Sequence, residues 1–264
     1  MTVTVRATVP ATLDGPADDP EATMPRARSD ALRGDGPDAR PDARPVARQA
    51  RGDAPVSDLE RRMWDAGRSV VGIDEVGRGA WAGPVTVAAV VLGPERLPPG
   101  ARDSKQLSAA RREQVAADVR RLALVGIGHA DNGEVDAVGL AAALTAAARR
   151  ALAAVLALDG APSDPLVLVD GPHDLVRQAG IEVATMVKGD AASVSIAAAS
   201  VVAKVERDTV MARASVEHPA YGFERNRGYA SPQHVAALEQ HGPCTLHRHS
   251  WAPIVRLCQP TLEV

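Results

Sequence analysis

Residues 69–92 read SVVGIDEVGRGAWAGPVTVAAVVL, and this segment is the most informative about the fold because it joins two strand patterns through a glycine-rich turn. The first run is apolar until it reaches the adjacent acids Asp74 and Glu75, and the second, residues 84–92, is rich in valine and alanine. Short apolar runs bounded by turn residues are typical of buried strands. The stretch therefore predicts two strands of one sheet, with two acidic side chains where the first strand ends.

Strand and helix patterns alternate through the rest of the chain. Strand patterns cover residues 124–129, 166–169 and 181–187, and helix patterns cover residues 108–122, 134–158 and 191 to about 215. A further helix start stands at Ser57, a capping residue followed by Asp58 and Glu60. This order predicts an α/β fold in which a mixed sheet packs in layers with helices.

The first 57 residues differ in composition from everything that follows. They contain eight of the 20 prolines, eight arginines and nine acidic residues, but no lysine and no aromatic residue. Such a segment buries too little apolar surface to offset the entropy of ordering it. We therefore predict a disordered tail over residues 1–57 and one globular domain over residues 58–264. A tether for a partner and a later translation start, at Met24 or Met63, are the alternative interpretations.

Composition limits the class of protein. A hydrophobic content of 45% allows one domain with a substantial core, and a net charge of −3 gives no general basic surplus. A nucleic-acid partner would therefore need locally clustered cations. Two cysteines do not form a disulfide framework, which favours a reducing, cytoplasmic compartment. No apolar stretch of about 18 residues is free of charge, so we expect no membrane-spanning helix.

Acidic residues stand at the ends of three predicted strands. Asp74 and Glu75 end the first, Asp170 ends the fourth, and Asp190 follows the fifth. Strand ends are where an open α/β sheet collects its functional groups, and clustered carboxylates repel one another unless divalent ions neutralise them. Oxygen ligands favour Mg²⁺ or Mn²⁺, and two such ions about 3.5–4 Å apart can cleave a phosphodiester. Taken singly, Asp190 is also explained as a helix cap and Asp170 as part of a turn.

The stretch at residues 71–85 resembles the signature of the ribonuclease HII family. Further segments are similar to family motifs and occur in the family's order: residues 103–108, 169–171, 188–208, 221–223, 227–229 and 247–253. Together the similar segments span roughly residues 57–258. Gln106 and Ala230 stand where the family more often has Lys and Gly.

The resemblance implies a ribonuclease H-like fold, which is a mixed five-stranded sheet flanked by helices, with a helical C-terminal extension that helps to hold the duplex. It implies an endoribonuclease that hydrolyses the RNA strand of RNA–DNA hybrids. It also implies nicking on the 5′ side of ribonucleotides embedded in duplex DNA, as in ribonucleotide excision repair, with 5′-phosphate and 3′-OH ends. Catalysis would use two Mn²⁺ or Mg²⁺ ions held by the catalytic acids Asp74, Glu75, Asp170 and Asp190. We expect a monomer with no membrane partner.

The resemblance assigns substrate contacts as well. Gly77, Arg78 and Gly79 would meet the 2′-OH of the ribonucleotide largely through backbone groups, and Tyr229 would pack against that sugar. Since the 2′-OH is the group that separates RNA from DNA, these contacts would set the specificity. We further predict phosphate contacts by six side chains: Lys105, Lys188, Ser193, Ser200, Lys204 and Arg207.

Helical spacing supports part of this phosphate-binding set, because Lys204 and Arg207 are three residues apart and share one face. An ordinary solvated helix face, and a packing role for Ser200, are the alternatives. A late group of basic residues is a candidate for a wider duplex-binding surface, with a structural role as the alternative for His247. The group consists of Arg225, Arg227, His247, Arg248 and His249.

Two other functions remain open from the residues alone. Paired acids can act without metal in glycoside hydrolysis, but sugar sites rely on aromatic platforms, and this chain has three Trp, two Tyr and one Phe. A non-catalytic module that binds RNA–DNA duplexes would not need four converging carboxylates, which repel phosphate when no metal is bound. Metal dependence of activity tests the first alternative, and cleavage by an Asp74→Asn variant tests the second.

Overall fold

The computed structural model describes residues 3–6, 54–101, 104–178 and 180–258. The strands in these ranges form one sheet and are β1 (Val3–Arg6), β2 (Val70–Val76), β3 (Val85–Leu92), β4 (Leu124–Ala130), β5 (Leu166–Asp170) and β6 (Glu182–Met186). The helices are α1 (Asp58–Asp65), α2 (Ala109–Leu122), α3 (Asn132–Val138), α4 (Leu140–Leu156), α5 (Val194–Glu217), α6 (Phe223–Asn226), α7 (Pro232–His241) and α8 (Ala252–Cys258).

The sheet is mixed, as predicted. In the strand order β1-β6-β5-β2-β3-β4, β5 runs parallel to both β2 and β6, while β3 runs antiparallel to β2 and β4. Strands β2 to β6 correspond to the five predicted strands, so the α/β, ribonuclease H-like sheet is confirmed. Because β2 and β5 are parallel neighbours, both end at the same edge of the sheet.

Strand β1 adds a sixth strand and corrects one prediction. The sequence predicts disorder over residues 1–57, but Val3–Arg6 pairs antiparallel with β6, with Val3 opposite Met186. The physical reason is that VTVR begins with β-branched residues, and the edge of β6 offers backbone groups that another strand can satisfy. Ala54 and Val56 also pack against the core, ahead of the predicted boundary. The rest of the predicted tail, residues 1–2 and 7–53, lies outside the described residues.

Helices α4 and α5 cover opposite faces of the sheet. Along β2, Val71 and Ile73 point into the core under α4, so alternation along the strand places Asp74 on the α5 face. Gly72 lets α5 lie directly on the strand, since a Cβ there would stand 2.2 Å from the carbonyl carbon of Ser195. This close approach sets α5 beside the end of β2, where the acids stand.

The start of α5 differs from the prediction. Ser193 is the N-cap residue, and Asp190 lies earlier, in a 3-10 turn over Gly189–Ala191. The capping interpretation of Asp190 is therefore wrong. Ser57 caps α1 as predicted and forms a capping box with Glu60, whose buried carboxylate accepts a hydrogen bond from the Ser193 hydroxyl at 2.8 Å. Helix α1 thereby fixes the point at which α5 begins.

One predicted helix is two. The sequence predicts a single helix over residues 134–158, but Gly139, with a φ of 80°, ends α3 and begins α4. Glycine adopts a positive φ at little cost, and this conformation interrupts the helical backbone. The predicted helix over residues 108–122 is confirmed, with Ser108 as the N-cap of α2.

The C-terminal helices pack on the second half of α5. Met211 of α5 lies in one apolar cluster with Phe223 and Ile254. Ala82, in the loop between β2 and β3, forms a backbone bridge with His247. The C-terminal helical part is therefore bound to this loop, residues 77–84, which we call the glycine-rich loop. Among the described residues no helix is long and apolar enough to cross a membrane.

Candidate active site

Two of the predicted acids stand side by side at the end of the sheet. Ile73 on β2 pairs with Val169 on β5, and Asp74 and Asp170 are the next residue on each strand. Because the strands are parallel, the two carboxylates leave the sheet at the same edge and on the same face. The sheet thus brings together acids that are far apart in the sequence.

A cavity of about 470 Å³ opens at this edge. It combines three of the predicted acids with the glycine-rich loop and with residues of α2, α5 and the segment before α2. Its lining consists of Asp74, Glu75, Val76, Gly77, Arg78, Gly79, Ser104, Lys105, Arg112, Asp170, Ser200, Lys204 and Tyr229. Most of the predicted site residues therefore share one cavity.

Asp74 is almost fully buried at the base of this group, with 7% of its surface exposed. Its Oδ1 accepts a hydrogen bond from the Glu75 N–H at 2.8 Å. Burial raises the pKa of Asp74 well above its ordinary value, repulsion from Glu75 and Asp170 adds to the rise, and a hydrogen bond with Ser200 opposes it. The surroundings of Asp74 thus disfavour its negative charge when no cation is near.

Asp170 and Asp190 complete the acidic set. Asp170 Oδ1 accepts a hydrogen bond from the Gly189 N–H at 2.7 Å. Burial raises the pKa of Asp170, with a further rise from Glu75 and opposing contributions from Gly189 and Lys105. Asp190 is 7% exposed, and its Oδ2 is 3.7 Å from Nζ of Lys105, which lines the cavity. All four predicted acids therefore lie in or beside the same cavity.

Glu75 has one oxygen with a partner and one without. Its Oε1 accepts a hydrogen bond from Arg78 Nη1 at 2.9 Å, whereas Oε2 is buried and has no hydrogen-bond partner in the described part of the chain. A buried carboxylate oxygen without a donor is costly unless a cation or water meets it. Carboxylate oxygens suit hard ions such as Mg²⁺ and Mn²⁺. Across residues 54–258 as described, no three His, Cys, Asp or Glu side chains already surround one point closely enough to form a cage.

The glycine-rich loop forms another wall of the cavity. Gly77 has a φ of 94°, and a Cβ there would lie 2.4 Å from Nε of Arg207, so only glycine fits. Arg248 donates hydrogen bonds to the carbonyl oxygens of Gly77 and Arg78 at 2.7 and 3.0 Å. The Arg207 guanidinium lies 5.3 Å from the centre of the Tyr229 ring. The loop and Tyr229 therefore meet at the cavity, as the predicted contacts require.

Among the predicted phosphate contacts, Lys105, Lys204 and Ser200 line the cavity. The hydroxyl oxygens of Ser200 and Ser104 lie 3.0 Å apart, within hydrogen-bond distance. Arg112 also lines the cavity, and its Nε donates to the Ser104 carbonyl oxygen at 3.0 Å. Arg112 is not among the predicted contacts, because residues 108–122 carry four arginines whose spacing does not distinguish one from the others.

Ser193 and Arg207 are away from the cavity, which contradicts their predicted phosphate contacts. Both are fully buried: the Ser193 hydroxyl donates to Glu60, and Arg207 donates to three backbone carbonyl oxygens. Helical spacing does not place Lys204 and Arg207 on a common solvent face, because Lys204 borders the cavity whereas Arg207 is enclosed under the loop carbonyls of Ala82 and Pro84. Lys188 is exposed and does not line the cavity, and its contact stays a prediction.

The late basic group divides between surface and core. Arg225 and His249 are exposed, whereas His247 and Arg248 are fully buried, which contradicts their place on a duplex-binding surface. Nε2 of His247 lies 3.0 Å from Nε2 of His234, so His247 has the structural role that was its alternative. His247 and Arg248 lie in the loop between α7 and α8, which has no periodic pattern, so only their polarity indicates an exposed position.

Comparisons with known proteins agree with this geometry. Residues 71–254 match the family model described as Ribonuclease HII. A ribonuclease HII of Streptomyces avermitilis is 45% identical over 211 residues, covering 78% of this chain and 88% of that protein. A ribonuclease HII of Jannaschia sp. is 45% identical over 204 residues, covering 77% of this chain and 98% of that protein.

Solved structures show the same fold. The ribonuclease HII of Archaeoglobus fulgidus, solved in complex with PCNA, is similar with a TM-score of 0.59 and 29% identity, covering 73% of this chain and 98% of that one. The ribonuclease H2 of Pyrococcus horikoshii has a TM-score of 0.58 and 22% identity, covering 72% of this chain and 96% of that one. The Bst ribonuclease HIII, solved in complex with Mn²⁺, has a TM-score of 0.56 and 20% identity, covering 72% of this chain and 69% of that one.

Proposed function

This chain belongs to the ribonuclease HII family and is an endoribonuclease that acts on RNA–DNA hybrids, and from that premise we propose that it also nicks duplex DNA on the 5′ side of embedded ribonucleotides. The proposed reaction hydrolyses the phosphodiester with divalent ions and leaves 5′-phosphate and 3′-OH ends. The observation that carries the proposal is the strand-end cavity, in which carboxylates and the glycine-rich loop share one space.

The metal-binding part of the proposal rests on Glu75. Its buried Oε2 has no partner in the described part of the chain. Burial, with repulsion from Glu75 next among the charges, raises the pKa values of the neighbouring Asp74 and Asp170. Asp74, Glu75 and Asp170 would hold Mg²⁺ or Mn²⁺, with Asp190 completing the set. Two such ions supply activation of the attacking water and stabilisation of the leaving 3′-oxygen.

The proposed recognition of the ribonucleotide uses neutral groups, in contrast to the charged carboxylates of the metal site. Gly77, Arg78 and Gly79 border the cavity, and glycine lets the backbone approach a sugar closely enough to hydrogen-bond its 2′-OH. Tyr229 borders the same space and would pack against that sugar. A deoxyribose lacks the hydroxyl and would leave the loop donors without a partner, which is the physical basis of the discrimination.

Lys105, Lys204 and Arg112 are the cations proposed to meet phosphates, because all three line the cavity. Each adds a positive charge close to acids that would otherwise repel the nucleic acid. The two cysteines, Cys244 and Cys258, are free, which suits the proposed reducing cytoplasm. The proposed physiological setting is excision of ribonucleotides from DNA by a monomer.

The deciding experiment uses duplex DNA with a single ribonucleotide, incubated with Mg²⁺ or Mn²⁺, with the nick mapped at nucleotide resolution. A nick on the 5′ side of the ribonucleotide, lost on chelation, is the expected result. An all-DNA duplex of the same sequence and a duplex with a 2′-O-methyl nucleotide serve as controls. Binding without any cleavage would instead support a duplex-binding module, and cleavage that persists after chelation would overturn the metal assignment.

A further inference from the structure

Two arginines lie fully buried directly behind the glycine-rich loop. Arg207 comes from α5 and Arg248 from the loop before α8, and neither has exposed surface. Burial lowers the pKa of Arg248 to about 10, with nearby Arg207 adding to the effect. A guanidinium in such a place is unfavourable unless its donors are used, so their acceptors indicate what the two side chains do.

Arg248 binds both ends of the loop. Its Nη2 and Nη1 donate to the carbonyl oxygens of Gly77 and Arg78 at 2.7 and 3.0 Å. Its Nε and Nη2 donate to the carbonyl oxygen of Gly83 at 3.2 and 3.1 Å. One rigid, planar group therefore holds residues 77, 78 and 83 at fixed relative positions. The Trp251 ring lies 5.2 Å from the Arg248 guanidinium and covers it.

Arg207 ties the same loop to the segment that carries Tyr229. Its Nε and Nη2 donate to the carbonyl oxygens of Pro84 and Ala82 at 2.8 and 3.0 Å, and its Nη1 donates to that of Arg227 at 2.9 Å. Its guanidinium also packs against the Tyr229 ring. Arg207 therefore helps to set the distance between the loop and this ring, together with the backbone hydrogen bonds from the Trp81 and Ala82 N–H groups to the Gly228 carbonyl oxygen at 2.7 and 3.2 Å.

The geometry of the peptide bond determines which way the loop N–H groups point once Arg248 has bound the carbonyl groups. The peptide bonds in this region are trans, so the carbonyl of one residue and the N–H of the next point to opposite sides. Arg248 draws the carbonyl groups of Gly77 and Arg78 inwards. The N–H groups of Arg78 and Gly79 are consequently turned away from the core, to the side on which the loop borders the cavity.

We propose that Arg248 and Arg207 are positioning residues for sugar discrimination, which hold the loop N–H groups and the Tyr229 ring at the spacing that a ribose requires. This inference rests on the proposed function, because it assumes that the loop meets the 2′-OH. The two arginines do not touch the nucleic acid. They act by fixing backbone carbonyl groups from behind, so that binding the ribose does not first require the loop to be ordered.

The test replaces Arg248 by lysine, which keeps the charge but loses the planar fork. Dissociation constants are measured without divalent ion for a duplex with one ribonucleotide and for the all-DNA duplex of the same sequence. Their ratio reports discrimination alone. Arg149→Lys is the control for loss of a guanidinium, because Arg149 of α4 also donates to backbone carbonyls, those of Val176 and Arg177, but does not line the cavity.

We expect Arg248→Lys to lower the preference for the ribonucleotide duplex about tenfold, equivalent to ~1.4 kcal/mol, with all-DNA affinity changed less than about twofold. Arg149→Lys should leave the preference unchanged. A preference equal to wild type, or a parallel loss of both affinities that follows the melting temperature, would overturn the proposal. A wild-type protein without any preference would instead refute the proposed role of the loop.

Two further variants decide the matter if Arg248→Lys does not fold. Arg207→Lys should lower the same ratio, since it loosens the link between Ala82 and the Tyr229 segment. Trp251→Leu removes the ring that covers Arg248 without removing a hydrogen bond, and a loss of about threefold is expected. Normal discrimination in both variants would count against the proposal.

Discussion

The two sides of the glycine-rich loop are both rich in titratable groups, but they differ in whether those groups have partners. On the cavity side, Glu75 keeps a buried oxygen without a partner in the described chain, and Asp74 lies where its own charge is disfavoured. On the core side, Arg207 and Arg248 direct their donors to backbone carbonyls. The acidic side therefore has an unused ligand for a cation, whereas the donors of the basic side are already used to hold the loop.

Two buried histidines complete the core side. Nδ1 of His234 lies 2.9 Å from the carbonyl oxygen of Tyr229, so it carries the proton and donates. Nε2 of His234 must then accept, and Nε2 of His247 must donate. Nδ1 of His247 in turn accepts from the Cys244 N–H at 2.9 Å. This chain of hydrogen bonds needs both rings neutral and ends on the backbone of Tyr229.

The largest effect should come from the acidic side. Asp74→Asn keeps the shape of the side chain but removes a negative ligand from the cavity, and kcat/KM for cleavage should fall by about 10³-fold. Cleavage of a single-ribonucleotide duplex in Mg²⁺ or Mn²⁺ measures the loss. Asp164→Asn is the matched control, since Asp164 is an exposed partner of Arg68 ahead of β5 and should cut normally. Comparable activity in the two variants would remove Asp74 from the catalytic set.

The histidine chain predicts how stability depends on pH. Burial, with repulsion from His234 next, lowers the pKa of His247 from 6.5 to about 4. Between pH 6.5 and 4, His247 is therefore protonated in the unfolded chain but neutral in the folded protein. The stabilisation of the folded state by neutral His247 is therefore fully present above pH 6.5. It declines by up to ~3 kcal/mol as the pH falls towards 4.

Urea unfolding at a series of pH values measures this contribution. His247→Gln retains an N–H donor towards His234 but does not titrate, so its stability should decline less than that of the wild type between pH 6.5 and 4. His241→Gln, at the exposed end of α7, should follow the wild-type curve. Parallel curves for wild type and His247→Gln would show that the histidine pair is not held neutral.

The difference between the two sides also explains what the sequence could predict. The acids were found because an apolar strand that ends in Asp or Glu is a local pattern, and parallel neighbours such as β2 and β5 bring such ends together. Helical spacing relates Arg207 to Lys204, but it does not indicate that the loop after β2 and the segment at Arg227 enclose Arg207. Enclosure is a property of the whole fold.

Long-range partners were the second limit. Ser193 was predicted as a phosphate contact, yet its partner is Glu60, 133 residues earlier. Strand β1 pairs with β6 across most of the chain, and four residues in a proline-rich and charged context gave too weak a pattern to indicate it. Arg248 binds carbonyls 165 to 171 residues away. Composition and periodicity depend on residues that are close in the sequence, so they do not predict contacts between residues this far apart.

A smaller effect should appear when a divalent ion is added to the free protein. If the acids bind Mg²⁺ or Mn²⁺, an ion at about 100 times its dissociation constant should stabilise the protein by ~2.7 kcal/mol, seen as a higher melting temperature. Asp74→Asn should respond less. Without ion, the same variant should be slightly more stable than wild type, because it removes the repulsion that Glu75 and Asp170 exert on Asp74. An unchanged melting temperature with both ions would contradict the metal site.

The smallest effects should separate two serines of the same chain segment. Ser193 caps α5 and donates to Glu60, so Ser193→Ala should lower the free energy of unfolding by ~1 kcal/mol and leave cleavage unchanged. Ser200 lines the cavity, bonds Ser104 and lowers the pKa of Asp74, so Ser200→Ala should lower kcat/KM by about threefold with little loss of stability. Thermal unfolding and cleavage are measured on both variants. The reverse pattern would be a cleavage defect in Ser193→Ala and a stability defect in Ser200→Ala. It would contradict the distinction between a reactive cavity side and a structural core side.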